Sequence, residues 1–187
     1  MTVTESFVHP LAGEAWTIDD LERLPDDGLR YEIVDGSLLV SPHAVVRHFG
    51  AAGLLRDLLA RQAPDGVFVG QDGGVQVKGG SSYFVPDVVA IWRAALTAGG
   101  RYLQPADVLL AVEVLSPSNA GVDLLLKRHY YAAGGIPHYW IVDPDKRTLT
   151  ALALDGGSYR EVTVVEPGTT WRTEQPFPLA LDPAEFL

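Results

Sequence analysis

The chain has no cysteine, which removes disulfides, thiolate zinc sites and cysteine nucleophiles from consideration. Nor does it hold any run near the roughly 18 to 20 uninterrupted apolar residues that a membrane span requires. No membrane partner is therefore expected, although 47% of the residues are hydrophobic. The opening MTVTESFVHPLAGEAW has neither the basic start nor the apolar stretch of a secretory signal, so a cytoplasmic location is the expectation. Positive charge is scarce: 14 Lys and Arg stand against 24 Asp and Glu, for a net charge of −10. Such a balance repels a polyanion at long range. It does not exclude a metal-dependent phosphodiesterase, which needs clustered carboxylates, because a bound divalent cation reverses the local field. There is no internal repeat and no low-complexity linker. A length of 187 residues suits one domain, 1–187, with a substantial core.

What is present reads as alternating helices and strands. Thr17 before IDDLERL is a helix N-cap signal, and Pro25 with the polar turn DDG ends that helix. YEIV and SLLV, joined by Asp35-Gly36, form a hairpin. From His43 to Gln62, the apolar residues Val45, Phe49, Ala52, Leu55, Leu58 and Leu59 recur at helical spacing. VFVGQ, GVQVK, DVVAIW and DVLLAVEVLS read as strands. Ser118 or Asn119 can cap a further helix, whose face is traced by Val122, Leu125, Leu126, His129, Tyr130 and Ala133 until Gly134-Gly135. HYWIVD is another strand, and TLTALAL and YREVTVV form a last hairpin about Asp155-Gly156-Gly157. This order predicts an α/β fold: a mixed central sheet flanked by helices, with added N-terminal and C-terminal β-hairpins.

One residue violates the pattern. Glu113 lies in VLLAVEVL among aliphatic neighbours, where an unpaired carboxylate costs several kcal/mol or is driven neutral. It needs a cation, whether for a structural ion pair or for chemistry. Asp87, after Pro86, starts the strand DVVAIW, and by itself could be an ordinary strand cap. If DVVAIW and DVLLAVEV pair antiparallel, positions 87 and 113 are equidistant from 100 and fall side by side. Two adjacent carboxylates call for a bridging cation, and oxygen-only ligands suit magnesium better than zinc.

Three further side chains are candidates. Lys127 follows Asp123 by four residues, off the apolar face traced above, and is either half of a solvated pair or an ammonium over the sheet end that bears Glu113. Glu32 in YEIVDG either faces water or supplies a third carboxylate. His48, in line with Ala52 and Leu55, reads more readily as a packing histidine than a catalytic one.

The succession YEIVDG, a histidine-containing helix, VPDVV, VEVLSPSN and DLLLKRHYYAAGGIPHYWIVDP resembles the Uma-two family of the PD-(D/E)XK restriction-endonuclease-like superfamily, over about residues 28–155. The resemblance implies a nuclease core in which Asp87 answers the PD aspartate and Glu113 the acidic residue of (D/E)XK. Leu115 stands where that element has lysine, and Lys127 on the next helix is the matching position. Glu32 matches an acidic residue of the family's N-terminal hairpin.

These readings converge on a magnesium- or manganese-dependent endonuclease acting on nucleic acid, with DNA the expected substrate. Asp87 and Glu113 are the expected metal ligands, Lys127 supports the attacking water or the developing charge, and Glu32 is an auxiliary ligand or base. A homodimer is expected because cutting both strands of a duplex calls for two sites. The rival is a catalytically silent nuclease fold used for protein association or weak nucleic-acid binding, which the acidity and the displaced lysine favour. Last comes a metal-free hydrolase with Glu113 as general acid. No nucleophile elbow supports it.

Overall fold

The computed structural model describes residues 6–8, 14–42, 45–116 and 122–187, with side chains outside the description at 6–8 and 122–124. β1 (Ser6–Val8) precedes the short helix α1 (Ile18–Leu21). Thr17 sits before α1 as predicted, its amide and hydroxyl both donating to the Asp20 carboxylate at 2.9 and 2.6 Å. The acidic side chain thus reaches back over the helix start, as in a capping box. β2 (Leu29–Val34) and β3 (Ser37–Pro42) form the expected hairpin. Asp35 and Gly36 both have positive φ, 46° and 76°, the primed-turn geometry whose twist matches that of the flanking strands.

Then come α2 (Val46–Gln62), β4 (Val67–Gln71), β5 (Val75–Val77), β6 (Ser82–Phe84), β7 (Val88–Trp92) and β8 (Val108–Val114). The chain continues through α3 (Val122–Gly134), β9 (His138–Asp143), β10 (Thr148–Asp155), β11 (Ser158–Val165), β12 (Trp171–Thr173) and β13 (Leu179–Leu181). Gly135, at φ 81°, ends α3 in the left-handed conformation, and the Ile136 amide closes back on the Tyr131 carbonyl at 3.1 Å.

The main sheet has six strands in the order β11-β10-β9-β8-β7-β4. Every pairing in it is antiparallel except β8 with β9, for which α3 is the crossover. It is therefore a mixed sheet with helices on both faces, the expected class. The C-terminal hairpin β10–β11 extends this sheet, and the N-terminal hairpin belongs to a second sheet ordered β1-β3-β2-β6-β5. β12 and β13 pair separately.

α2 packs Ala51, Ala52, Leu55, Leu58 and Leu59 against Val69, Val88, Leu110 and Val112 on one face of the main sheet. Burying each Leu contributes about 2 kcal/mol. On the other face, Tyr130, Tyr131 and Ala132 of α3 share a core with Val89, Ala111 and Tyr139, and with Val34, Leu39, Val75 and Phe84 from the second sheet. The two sheets therefore meet over α3's side of the molecule.

The face read for α2 holds from Ala52 onward and fails at the helix start, whereas α3 is rotated relative to the face read from periodicity. On α2, Val45 and Phe49 are exposed, at 59% and 68%, whereas His48 and Ala51 are buried. A cleft lined by Val46, His48, Phe49 and Ala52 opens beside the helix start. On α3, Leu125, His129 and Ala133 face outward, whereas Lys127, Tyr130, Tyr131 and Ala132 are buried. The cause lies in Lys127 and Tyr131, one turn apart, whose polar groups find carboxylates in the core. Ser118 and Asn119 as helix caps lie outside the described residues, as does the side chain of Asp123.

Candidate active site

The register of β7 and β8 pairs Val88 with Val112 and Val89 with Ala111. Continued by one step, it sets Asp87 opposite Glu113. These two carboxylates come from the main sheet. Glu32 and Arg30 come from β2 of the second sheet, on one face because residues two apart along a strand point the same way. His48 comes from α2, and Lys127 and Tyr131 from α3. The site lies where the two sheets and both long helices meet.

Lys127 is at the centre. Its ammonium lies 3.0 Å from Glu32 Oε1 and 3.2 Å from Glu113 Oε2, and all three residues are buried: Lys127 is 2% exposed, Glu32 1% and Glu113 4%. Tyr131, four residues on, donates its hydroxyl to Glu113 Oε1 at 2.9 Å. Burial, and then the charges of Glu113 and Glu32, push the Tyr131 phenol well above its usual 10, so it stays a donor. Glu32 Oε1 also accepts the Val85 amide at 2.7 Å. The solvent-facing alternative for Glu32 is therefore overturned, and so is the placing of Lys127 off the buried face.

Asp87 is engaged on both oxygens. Arg30 Nη1 donates to Oδ1 at 2.7 Å, and the Val114 amide donates to Oδ2 at 2.7 Å. His48 Nε2 lies 3.1 Å from the same Oδ2. Burial alone would raise the Asp87 carboxyl. The His48 hydrogen bond and the charges of Arg30, His48 and Lys127 outweigh it and hold the carboxyl well below the ordinary 3.8. For Arg30, burial is likewise outweighed by Asp87 and Glu32, so the guanidinium stays charged. His48 is thus no mere packing residue, although among the described residues its Nδ1 has no hydrogen-bond partner.

Sequence reasoning did not single out Arg30 or Tyr131. Both were signalled by spacing, Arg30 two residues before Glu32 on a strand and Tyr131 four after Lys127 on a helix. Asp87, Arg30 and His48 line a cleft of about 650 Å³ whose rim includes Val46, Phe49 and Asp72. Glu113 and Lys127 are buried and do not line it. Among the described residues, no group of three or more His, Cys, Asp or Glu side chains is arranged to hold a metal ion, and no helix is long and apolar enough to cross a membrane.

A mixed sheet sandwiched by helices, with a lysine buried between carboxylates at a strand end, defines a restriction-endonuclease-like α/β protein. The family model described as "Uma2: Putative restriction endonuclease" matches residues 18–184, and the chain belongs to that family. A crystal structure described as a "putative nuclease belonging to DUF820 from Anabaena variabilis ATCC 29413" is similar over 91% of this chain and 97% of that one. Its TM-score is 0.72 at 17% identity, a likeness of fold. No curated protein matches.

Proposed function

We propose that the protein is a magnesium-dependent nuclease that hydrolyses a phosphodiester bond, with DNA as its substrate. The observation that carries this reading is the buried Lys127 ammonium set between Glu32 and Glu113, with Asp87 opposite Glu113 at the head of a solvent cleft. A structural core has little use for three carboxylates and two cations at one strand end, since replacing buried ion pairs by apolar residues is often neutral or stabilising. A nuclease needs such a group.

The donor set fits a hard divalent cation. It offers only oxygens, and magnesium is commonly held by one or two carboxylates while water and substrate phosphate complete its shell. Asp87 and Glu113 are the residues that would hold it, and manganese would suit the same donors. When bound, the ion would supply Lewis-acid polarisation of the phosphate and a lowered pKa for water. The chain's own contributions are separable from that. Asp87 stays ionised because Arg30 and His48 oppose its burial. Lys127 presents positive charge to the oxygens that become more negative as phosphorus is attacked, and Tyr131 fixes the Glu113 carboxylate in one orientation. Glu32, 3.0 Å from the ammonium, holds it in place.

The reading is tested by incubating the purified protein with plasmid and with oligonucleotides in magnesium, in manganese and in chelator. Cleavage should need the cation and disappear in Asp87→Asn and Glu113→Gln. A silent binding domain is the second reading, favoured by the engagement of both Asp87 oxygens by protein donors. It predicts no cleavage in any of these conditions.

A further inference from the structure

A cleft opens onto the carboxylate cluster at Asp87, and its lining is unlike the cluster itself. Of the three carboxylates, Asp87 is the one that lines the cleft; Glu32 and Glu113 do not. Arg30 also lines it, with its second guanidinium nitrogen on the exposed Asp72 at 2.7 Å. The first turn of α2 lines the same cleft, and there Val46 is 87% exposed and Phe49 68%. Phe49 follows His48 directly, so the imidazole that holds Asp87 and the bare phenyl ring are adjacent positions of one helix turn.

We infer that this cleft takes an unpaired nucleotide of the substrate strand, its base against Phe49 and Val46 and its phosphate on Arg30, so that the enzyme prefers single-stranded over duplex nucleic acid. The inference rests on the nuclease reading above and adds the substrate class. Three observations carry it. An exposed aromatic ring at a cleft mouth offers a stacking face, which a base inside a duplex cannot use because both its faces are already stacked. Asp87 lines the cleft yet is only 3% exposed, and Glu32 and Glu113 are buried without lining it, so a narrow flexible strand suits the approach better than a broad rigid duplex. A chain of net charge −10 cannot build affinity by neutralising many phosphates, whereas base stacking adds affinity without needing positive charge.

Fluorescence anisotropy with a labelled single-stranded DNA of about 15 nucleotides and its duplex, in calcium to allow binding without turnover, tests the assignment. The wild-type protein should bind the single strand about tenfold or more tightly than the duplex. Phe49→Ala should lose about tenfold for the single strand, and Phe49→Trp should retain affinity. Phe49 is exposed, so circular dichroism should show both variants folded. Equal or tighter duplex binding, or a Phe49→Ala protein with undiminished single-strand affinity, overturns the inference while leaving the nuclease reading intact. A wild-type protein that neither binds nor cleaves either form removes both. Should Phe49→Ala change only the oligomeric state on gel filtration, the rim is a protein contact and the inference falls.

Discussion

Asp87 accepts the backbone amide of Val114 at 2.7 Å, and so ties the head of β7 to the tail of β8 immediately beside Glu113. A candidate metal ligand therefore also serves as a clamp on the strand that carries the other one. Loss of Asp87 should disturb Glu113 even without direct contact between them.

The pH dependence of stability follows from the same carboxylate. Asp87 is held below its unfolded value of 3.8, so its contribution is full above that value and is lost as pH falls through the folded-state value. Asp87→Asn should be less stable than wild type near neutrality, and the gap should close on acidification. Urea midpoints from about pH 5 to about pH 2.5 would show this; a constant gap would mean that Asp87 is not the group responsible.

Lys127→Met removes one partner of two buried ion pairs and leaves Glu32 and Glu113 without the ammonium. It should cost about 3 to 5 kcal/mol in urea unfolding, far beyond the few tenths expected of a solvated helix pair. The double variant with Glu113→Gln should recover part of that loss, since one stranded charge is gone. Lys127→Arg should rescue activity poorly, because a broad planar group does not fit a site built for a compact ammonium.

Tyr131→Phe should cost about 1.5 to 3 kcal/mol, the usual worth of a hydrogen bond to a charged group. The ring's packing is retained in this variant. If Tyr131 only filled space, thermal and chemical unfolding would be unchanged.

Magnesium should raise the melting temperature of the wild-type protein by mass action on the folded state. Glu113→Gln and Asp87→Asn should abolish the rise, while Phe49→Ala should keep it. Calorimetric titration reads the same linkage without a substrate, and identical shifts in all four proteins would count against Asp87 and Glu113 as ligands.

Much of this arrangement is legible in the sequence alone. The isolated Glu113 in an aliphatic strand demanded a cation, and the symmetry of positions 87 and 113 about 100 anticipated the antiparallel register of β7 and β8. The face of α3 was not legible, because a periodicity that counts only apolar residues assigns a buried lysine to the outside. Nothing local reveals that Glu32, from the other sheet, waits opposite Lys127. The exposure of Phe49 was hidden for a related reason. Helical spacing shows which residues share a stripe but not where the neighbouring sheet ends beneath it. Family resemblance pointed Lys127 toward Glu113, and its ammonium lies 3.2 Å from that carboxylate, whereas helical spacing had set it off the apolar face.

The parallel pairing of β8 with β9 requires α3 to swing across the sheet between them, and Lys127 travels on that crossover. Before α3 docks, Asp87 already has Arg30 as its cation, but Glu32 and Glu113 have no ammonium between them, and mutual repulsion opposes their approach. Docking of α3 relieves it, so the element that completes the parallel β8–β9 connection is also the one that delivers the ammonium to the cluster. A chain still emerging from the ribosome therefore holds its three carboxylates well before it holds the lysine, and the cluster is complete only once synthesis has passed α3.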